Sequence, residues 1–372
     1  MKIAIILGTR PEIIKMSPII REFERSYNDY FILHTGQHYS YEMDKVFFEQ
    51  LELPEPKYNL KVGSGSHGEQ TGKMLIGIER VLKLENPDLV LVVGDTNTVL
   101  AGALTAAKLG IKIGHVEAGL RSYDKQMPEE INRVLTDHCS DYLFAPTEKS
   151  KQILVSEGIP ENKIFVTGNT IVDAVYQNIE LAHRKANILD RLNLERNSYF
   201  LATVHRQENV DDKIRFRNIL EGLQKVSKIF GYPVFLVIHP RAKKQMNIFG
   251  LKPSGLNLIE PLDYLNFLNL EANARLVLTD SGGVQEEACI LRVPCVTLRY
   301  NTERPETLEV GANILAGTNP DEIVKKTEYM LSRKREWINP FGDGKAGIRI
   351  VHILKNELIE SLKYKRGVDL WI

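Results

Sequence analysis

Leu276 to Ala288 reads Leu-Val-Leu-Thr-Asp-Ser-Gly-Gly-Val-Gln-Glu-Glu-Ala, an apolar run meeting a hydroxyl-and-glycine turn that opens a helix with two carboxylates in its first turns. The main-chain N–H groups of Ser281, Gly282 and Gly283 fall at the positive end of the helix dipole, where glycine lets an anion approach closely. A diphosphate suits that end. One turn further in, Glu286 or Glu287 can accept hydrogen bonds from ribose hydroxyls. Any parallel α/β sheet also needs small residues where strands turn into helices, so the motif draws its meaning from the rest of the chain.

Further groups with chemical potential recur at the ends of apolar runs. Gly8-Thr9-Arg10-Pro11-Glu12 follows Lys2–Leu7, with proline at a first helical position and Lys15 one turn on. This turn lacks the G-x-G-x-x-G spacing of a dinucleotide site; an arginine there serves as a phosphate or carboxylate ligand. Leu89–Val93 ends in Gly94-Asp95-Thr96, and Ile111–His115 runs into Val116-Glu117-Ala118-Gly119-Leu120-Arg121. Asp95 also fits a helix N-cap, whereas Glu117 is not a usual cap. Met127-Pro128-Glu129-Glu130-Ile131-Asn132-Arg133 adds acids in the first turn of a helix. Three acids meeting at one site would raise one another's pKa, as acid–base chemistry requires.

The second half supplies cations and imidazoles. His205 follows Tyr199–Thr203, His239 follows Val234–Ile238, and Arg304 lies in Thr302-Glu303-Arg304-Pro305-Glu306. His205 reads as a donor to phosphate. Neither His205 nor His239 has a metal-ligand partner at helical i, i+4 spacing, and His115 and His138 have no clear partners, so no metal site is expected. Ser281 lacks the G-x-S-x-G surroundings of a nucleophile elbow.

The elements that hold these groups alternate short apolar runs with longer amphipathic ones, the pattern of parallel strands joined by crossover helices. The expected strands are Lys2–Leu7, Phe31–His34, Leu89–Val93, Ile111–His115, Tyr142–Ala145 and Ile164–Val166, then Tyr199–Thr203, Val234–Ile238, Leu256–Ile259, Arg275–Thr279, Pro294–Leu298 and Ile314–Leu315. A charged helical stretch, Asp173–Leu194, separates the two series. The predicted fold class is α/β, two Rossmann-like doubly wound domains facing a cleft, with residues 1–169 and 170–349 as the domains. A final helix, about 350–372, is expected to pack back on the first domain.

At 372 residues the chain exceeds what one core usually encloses, and its 43% apolar share supports two cores. Lys plus Arg and Asp plus Glu both number 48, so no general nucleic-acid or membrane-surface binding is expected and anion selectivity must be local. The three cysteines, Cys139, Cys289 and Cys295, offer no disulfide framework, and no apolar run approaches the roughly 18 residues of a bilayer span. A cytoplasmic location is the expectation.

Taken in order, Gly8-Thr9-Arg10-Pro11-Glu12, Gly94-Asp95-Thr96, Gly114-His115-Val116-Glu117-Ala118-Gly119-Leu120-Arg121, Pro128-Glu129-Glu130-x-Asn132-Arg133, Asp280-Ser281-Gly282-Gly283-x-Gln285-Glu286-Glu287 and Thr302-Glu303-Arg304-Pro305-Glu306 resemble the non-hydrolysing UDP-N-acetylglucosamine 2-epimerases. The resemblance spans nearly the whole chain. It implies a glycosyltransferase-B architecture, a homodimer, and interconversion of UDP-GlcNAc and UDP-ManNAc without a cofactor, by elimination of UDP to 2-acetamidoglucal and re-addition. It further implies Asp95, Glu117 and Glu129 as groups that move the C2 proton. His205, Arg10, Arg304 and Ser281–Gly283 would serve the diphosphate, with Lys15 and Arg133 also in the site, Glu287 at the ribose and Phe267 near the uracil. Which acid serves which face of the sugar stays open.

Two departures qualify the likeness. Many bacterial relatives bind a second UDP-GlcNAc as activator through an arginine just before Gln70-Thr71 and a His-Pro-Asn sequence; here Glu69 and His239-Pro240-Arg241 stand instead. The rival readings are a 2-epimerase of a UDP-diacetamido uronic acid, a UDP-sugar glycosyltransferase of the same fold, and a hydrolysing epimerase.

Overall fold

Runs such as Ile3–Leu7 and Leu89–Val93 are apolar at every position, so strands built from them need cover on both faces. In the computed structural model, which describes residues 2–26, 29–37 and 41–368, every residue of both runs is buried. The chain divides into two units, one made of residues 1–174 and 341–372, the other of residues 175–340.

The first unit carries a parallel sheet of β1 (Ile3–Leu7), β2 (Tyr30–His34), β3 (Tyr58–Asn59), β4 (Leu89–Val93), β5 (Lys112–Val116), β6 (Tyr142–Ala145) and β7 (Ile164–Val166), in the order β3-β2-β1-β4-β5-β6-β7. Order reverses between β1 and β4, which pair as Ile3 with Leu89 and Ile5 with Leu91. Connections leave this pair in opposite directions, and ligands of doubly wound sheets bind beyond the carboxyl ends of such a pair. Methyl-rich helix His67–Glu85 and helix Asn97–Lys108 cover one face, with Met74, Ile78, Val99 and Ala103 closing over Ala4, Ile6, Val90 and Val92.

The second unit repeats the plan with β8 (Phe200–Val204), β9 (Val234–Ile238), β10 (Asn257–Ile259), β11 (Leu276–Thr279), β12 (Cys295–Thr297) and β13 (Asn313–Leu315), all parallel, in the order β10-β9-β8-β11-β12-β13. Its reversal falls between β8 and β11, where Thr203 faces Thr279 and their hydroxyls lie 2.5 Å apart. Trp337 is buried in this unit and donates its indole N–H to the carbonyl of Cys289, 2.9 Å away near the end of helix Gly282–Ile290.

Each strand expected from the sequence is present within a residue or two, and the α/β class is correct. The two-residue β3 was not anticipated. The stretch expected as one helix over Asp173–Leu194 is two, Thr170–Lys185 and Ile188–Leu192, because Ile188 turns into the core beside Tyr199 and Leu201. The last helix, Ala346–Val368, packs along helix Arg10–Ser26 within the first unit, where the Cα of Gly347 comes so close to Pro18 that an added Cβ would lie 3.1 Å from its ring. Asp173 accepts hydrogen bonds from the N–H groups of Ala346 and Gly347 at 3.2 and 2.9 Å and so caps that helix. None of the helices among the described residues is long and apolar enough to cross a membrane.

Candidate active site

In the first unit the turn after β1 is sterically tight. A Cβ on Gly8 would lie 2.0 Å from the Thr35 hydroxyl and 2.4 Å from that of Thr98, so no other residue fits there. Arg10 opens helix Arg10–Ser26, its guanidinium 5.6 Å from the Phe47 ring centroid. Behind it, the buried Glu12 accepts from Gly8 N–H at 2.6 Å and from the Thr96 hydroxyl at 2.5 Å. Burial outweighs those bonds and pushes the Glu12 carboxyl up to about 7. Sequence reading passed over Glu12, since nothing in its type foretells burial.

The three acids singled out in the sequence take different surroundings. Glu117, at the end of β5, forms a short, largely buried ion pair with Lys15. Its backbone φ is +71°, a left-handed conformation that costs a residue with a side chain about 1 kcal/mol or more. Such strain persists only where the surroundings impose it, and here it aims a carboxylate at a strand end. Asp95 follows Gly94, whose φ is +85°, and pairs with Arg133 at 2.5 Å. Glu129 is exposed on the first turn of helix Pro128–Cys139. The mutual repulsion expected of three convergent acids is therefore not the governing feature; two of them sit against cations.

Glu130, buried, organises the neighbouring loop. It accepts from Ser122 and Tyr123 N–H, both at 2.9 Å, and pairs with Arg133 at 2.8 Å; burial opposes its charge, but these partners hold its pKa below the ordinary value. Arg133 is thus a bridge between Glu130 and Asp95. Beneath them lies His115, fully buried, with Nδ1 2.6 Å from Asp137 and Nε2 2.8 Å from the Gly94 carbonyl. Two acceptors call for two ring protons. Burial disfavours the imidazolium, yet Asp137 and Gly94 prevail and raise the His115 pKa, while Arg121, 2.7 Å from Asp137, balances the charge.

In the second unit the strand ends of β8 and β11 meet at Asp280. Its buried carboxylate accepts from the N–H groups of His205 and Arg206 at 3.0 Å, from the Asn209 side chain at 3.0 Å and from His205 Nδ1 at 2.9 Å. Burial works against its charge, but these donors keep its pKa below the usual range. The Ser281 hydroxyl caps helix Gly282–Ile290 through Val284 N–H. A Cβ on Gly282 would lie 2.5 Å from Glu303, which Arg206 and Arg299 clamp. Burial raises the Glu303 pKa less than those two arginines lower it, and it falls to about 2.

Glu286 and Glu287, equivalent candidates on sequence, point to different partners. Glu286 pairs with Arg304 at 3.0 Å, while Glu287 accepts from the Tyr264 hydroxyl at 3.0 Å. Burial, with the nearby Glu286 charge, lifts Glu287 to about 7; burial and then the charge of Glu287 lift the buried Glu271 well above its ordinary value. Beside these groups a cavity of about 180 Å³ is lined by Thr203, His205, His239, Leu262, Phe267 and Ser281. Apolar lining from Leu262 and Phe267, two imidazoles and a helix N-terminus suit a heteroaromatic ring attached to an anion.

The model of the family described as UDP-N-acetylglucosamine 2-epimerase matches residues 21–355. A UDP-N-acetylglucosamine 2-epimerase from Methanocaldococcus jannaschii is 62% identical over 361 residues, covering 95% of this chain and 99% of that protein. The chain belongs to this epimerase family. It is therefore an isomerase. The enzyme also matches the crystal structure of the Methanocaldococcus jannaschii UDP-GlcNAc 2-epimerase in complex with UDP-GlcNAc and UDP, at 61% identity and a TM-score of 0.86, over 96% of this chain and all of that one. Its two doubly wound units are of glycosyltransferase-B type. A UDP-2,3-diacetamido-2,3-dideoxy-D-glucuronate 2-epimerase from Pseudomonas aeruginosa is 42% identical, over 95% of this chain and 99% of that relative.

At the two departures from the family pattern, the enzyme has internal partners. Glu69 pairs with Lys73 at 2.7 Å on the exposed face of helix His67–Glu85, and Arg241 pairs with Asp211 at 2.5 Å. Like Glu12, Asp280 and Asn209 are polar residues that sequence reading did not single out. The only available signal was the aspartate preceding Ser281, and its partner His205 lies 75 positions earlier.

Proposed function

We propose that the enzyme interconverts UDP-N-acetylglucosamine and UDP-N-acetylmannosamine by elimination and re-addition. A base takes the proton from C2, the C1–oxygen bond to UDP breaks, and a C1–C2 double bond forms, giving 2-acetamidoglucal. UDP oxygen then adds back to C1 while a proton is delivered to the opposite face of C2. Atoms and charge balance without an oxidant, and the turn after β1 lacks the glycine spacing a nicotinamide site would need.

The observation that carries this reading is the contrast between the two units. The second offers main-chain donors at Ser281–Gly283, His205 fixed on Asp280, and a cavity lined in part by Phe267, which suits uridine and a departing diphosphate. Arg10 and Arg304 would add charge, and preorganised donors of this kind can contribute roughly 3 kcal/mol each to a developing anion. The first unit holds Asp95 and Glu117, each against a cation, so that proton gain and loss can be matched by a neighbour's charge. Asp95, Glu117 and Glu129 are the candidates for the C2 proton, Glu287 for the ribose, and Lys15 and Arg133, which pair with Glu117 and Asp95, for substrate binding. The 62% identity to an enzyme named for UDP-N-acetylglucosamine, against 42% to one named for a diacetamido glucuronate, favours the simpler sugar.

Proton NMR of the enzyme with UDP-N-acetylglucosamine in deuterated water tests it. The expected product is UDP-N-acetylmannosamine carrying deuterium at C2. Accumulation of free N-acetylmannosamine and UDP would replace this reading with hydrolysis, and no reaction would shift it to the diacetamido uronic acid.

A further inference from the structure

The strands of the second unit have another pole. His205 and Ser281 follow β8 and β11, whereas Asn197 and Arg275 precede the same two strands and Pro294 precedes β12. Around these N-terminal ends lies a separate cavity of about 370 Å³, lined by Asn197, Arg275, Pro294, Met330, Arg333 and Arg335 and by no acidic residue. Its basic character is built in. The Arg275 guanidinium stacks 4.5 Å from the Tyr232 ring centroid, and its Nε is buried without a hydrogen-bond partner. Arg335 donates to the Arg275 carbonyl at 2.7 Å, and Arg333 donates to the Tyr329 hydroxyl at 3.0 Å.

Several arginines of this chain have a carboxylate within reach, as Arg121, Arg133, Arg241 and Arg299 do. Among the described residues, Arg275, Arg333 and Arg335 have none as an ion-pair partner, and neither does Arg196 close by. Burial, followed by the charges of Arg275 and Arg196, lowers the Arg335 pKa. Guanidinium groups held together without counter-charge repel one another, and an anion among them removes that cost while using donor forks shaped for phosphate. The volume exceeds what one phosphate group needs and falls in the range of roughly 300 to 1,000 Å³ typical of small-molecule sites.

We propose that this cavity is a second ligand site, apart from the sugar-nucleotide site, that takes a small molecule carrying two or more phosphate charges. Pyrophosphate is the probe. The full-length enzyme is first saturated with UDP, so that the diphosphate position is filled, and pyrophosphate is then titrated by calorimetry at constant ionic strength. The expected result is a further saturable binding event that weakens at least tenfold in the Arg333→Ala/Arg335→Ala variant, while UDP affinity and turnover without pyrophosphate stay within twofold of the parent. Absence of a second event in the parent, or the same affinity in the variant, would overturn the proposal. Both arginines lie outside the packed core, and retained UDP binding verifies that the variant is folded.

Discussion

Nδ1 of His205 lies 2.9 Å from Oδ1 of Asp280, and the same carboxylate receives the His205 main-chain N–H. One acid therefore fixes both where the imidazole sits and which nitrogen carries its hydrogen. With Nδ1–H committed to the carboxylate, Nε2 is the nitrogen left to meet a substrate oxygen. The pairing crosses the β8–β11 reversal, so the sheet register itself sets the ring.

Asp280→Asn keeps the size of the side chain but offers an amide N–H where His205 needs an acceptor. The expected loss in kcat is roughly 100-fold or more, in line with orienting acids elsewhere. Initial rates together with UDP calorimetry test this. A variant with parental kcat would remove His205 from the chemistry.

Glu117→Gln retains the strand-end geometry and removes the charge that Lys15 faces. Turnover is expected to fall by roughly 1,000-fold, as for loss of a general base together with its charge balance, while UDP affinity changes only a few-fold. Parental turnover would sink the assignment of Glu117 to the C2 proton.

Glu12 ionises near 7 in the folded chain against 4.5 for an ordinary glutamate. The native state thus binds this proton more tightly than the unfolded chain, and the resulting stabilisation is present below pH 4.5 and lost as pH rises to 7. The loss amounts to about 3 kcal/mol. Denaturant unfolding at pH 5 and pH 7.5 should show a smaller decline for Glu12→Gln than for the parent. Equal declines would mean that Glu12 titrates normally.

Gly282→Ala puts a methyl 2.5 Å from the Glu303 carboxylate, which two arginines hold in place. Either Glu303 leaves its clamp or the first turn of the helix shifts, and both misplace the main-chain donors. UDP affinity is expected to fall about tenfold with little change in melting temperature. Unchanged affinity would show that the diphosphate does not use this turn.

The strands were legible because central parallel strands are apolar throughout, as in Leu89–Val93, and no helix pattern competes with a five-residue apolar run. Tyr58–Asn59 was not, since two residues at a sheet edge carry no periodicity. Candidate site residues were legible where glycine meets a charged or hydroxyl residue at a strand end, as at Gly94-Asp95 and Ser281-Gly282-Gly283. Their partnerships were not. Lys15 and Glu117 are 102 positions apart, and only the β1–β4–β5 order brings them together. Neighbouring glutamates 286 and 287 differ by a rotation of about 100° around the helix, which sends one to Arg304 and the other to Tyr264. Composition is silent about such directions.

Trp337 gives the enzyme a spectroscopic reporter of its own. The sequence has two tryptophans, and Trp371 lies outside the described residues. Because the indole of Trp337 is shielded from water and tethered to the carbonyl of Cys289, its emission depends on the position of helix Gly282–Ile290. In a Trp371→Phe background, the wavelength and lifetime of that single fluorophore would report whether the helix shifts when a ligand binds, with no dye attached.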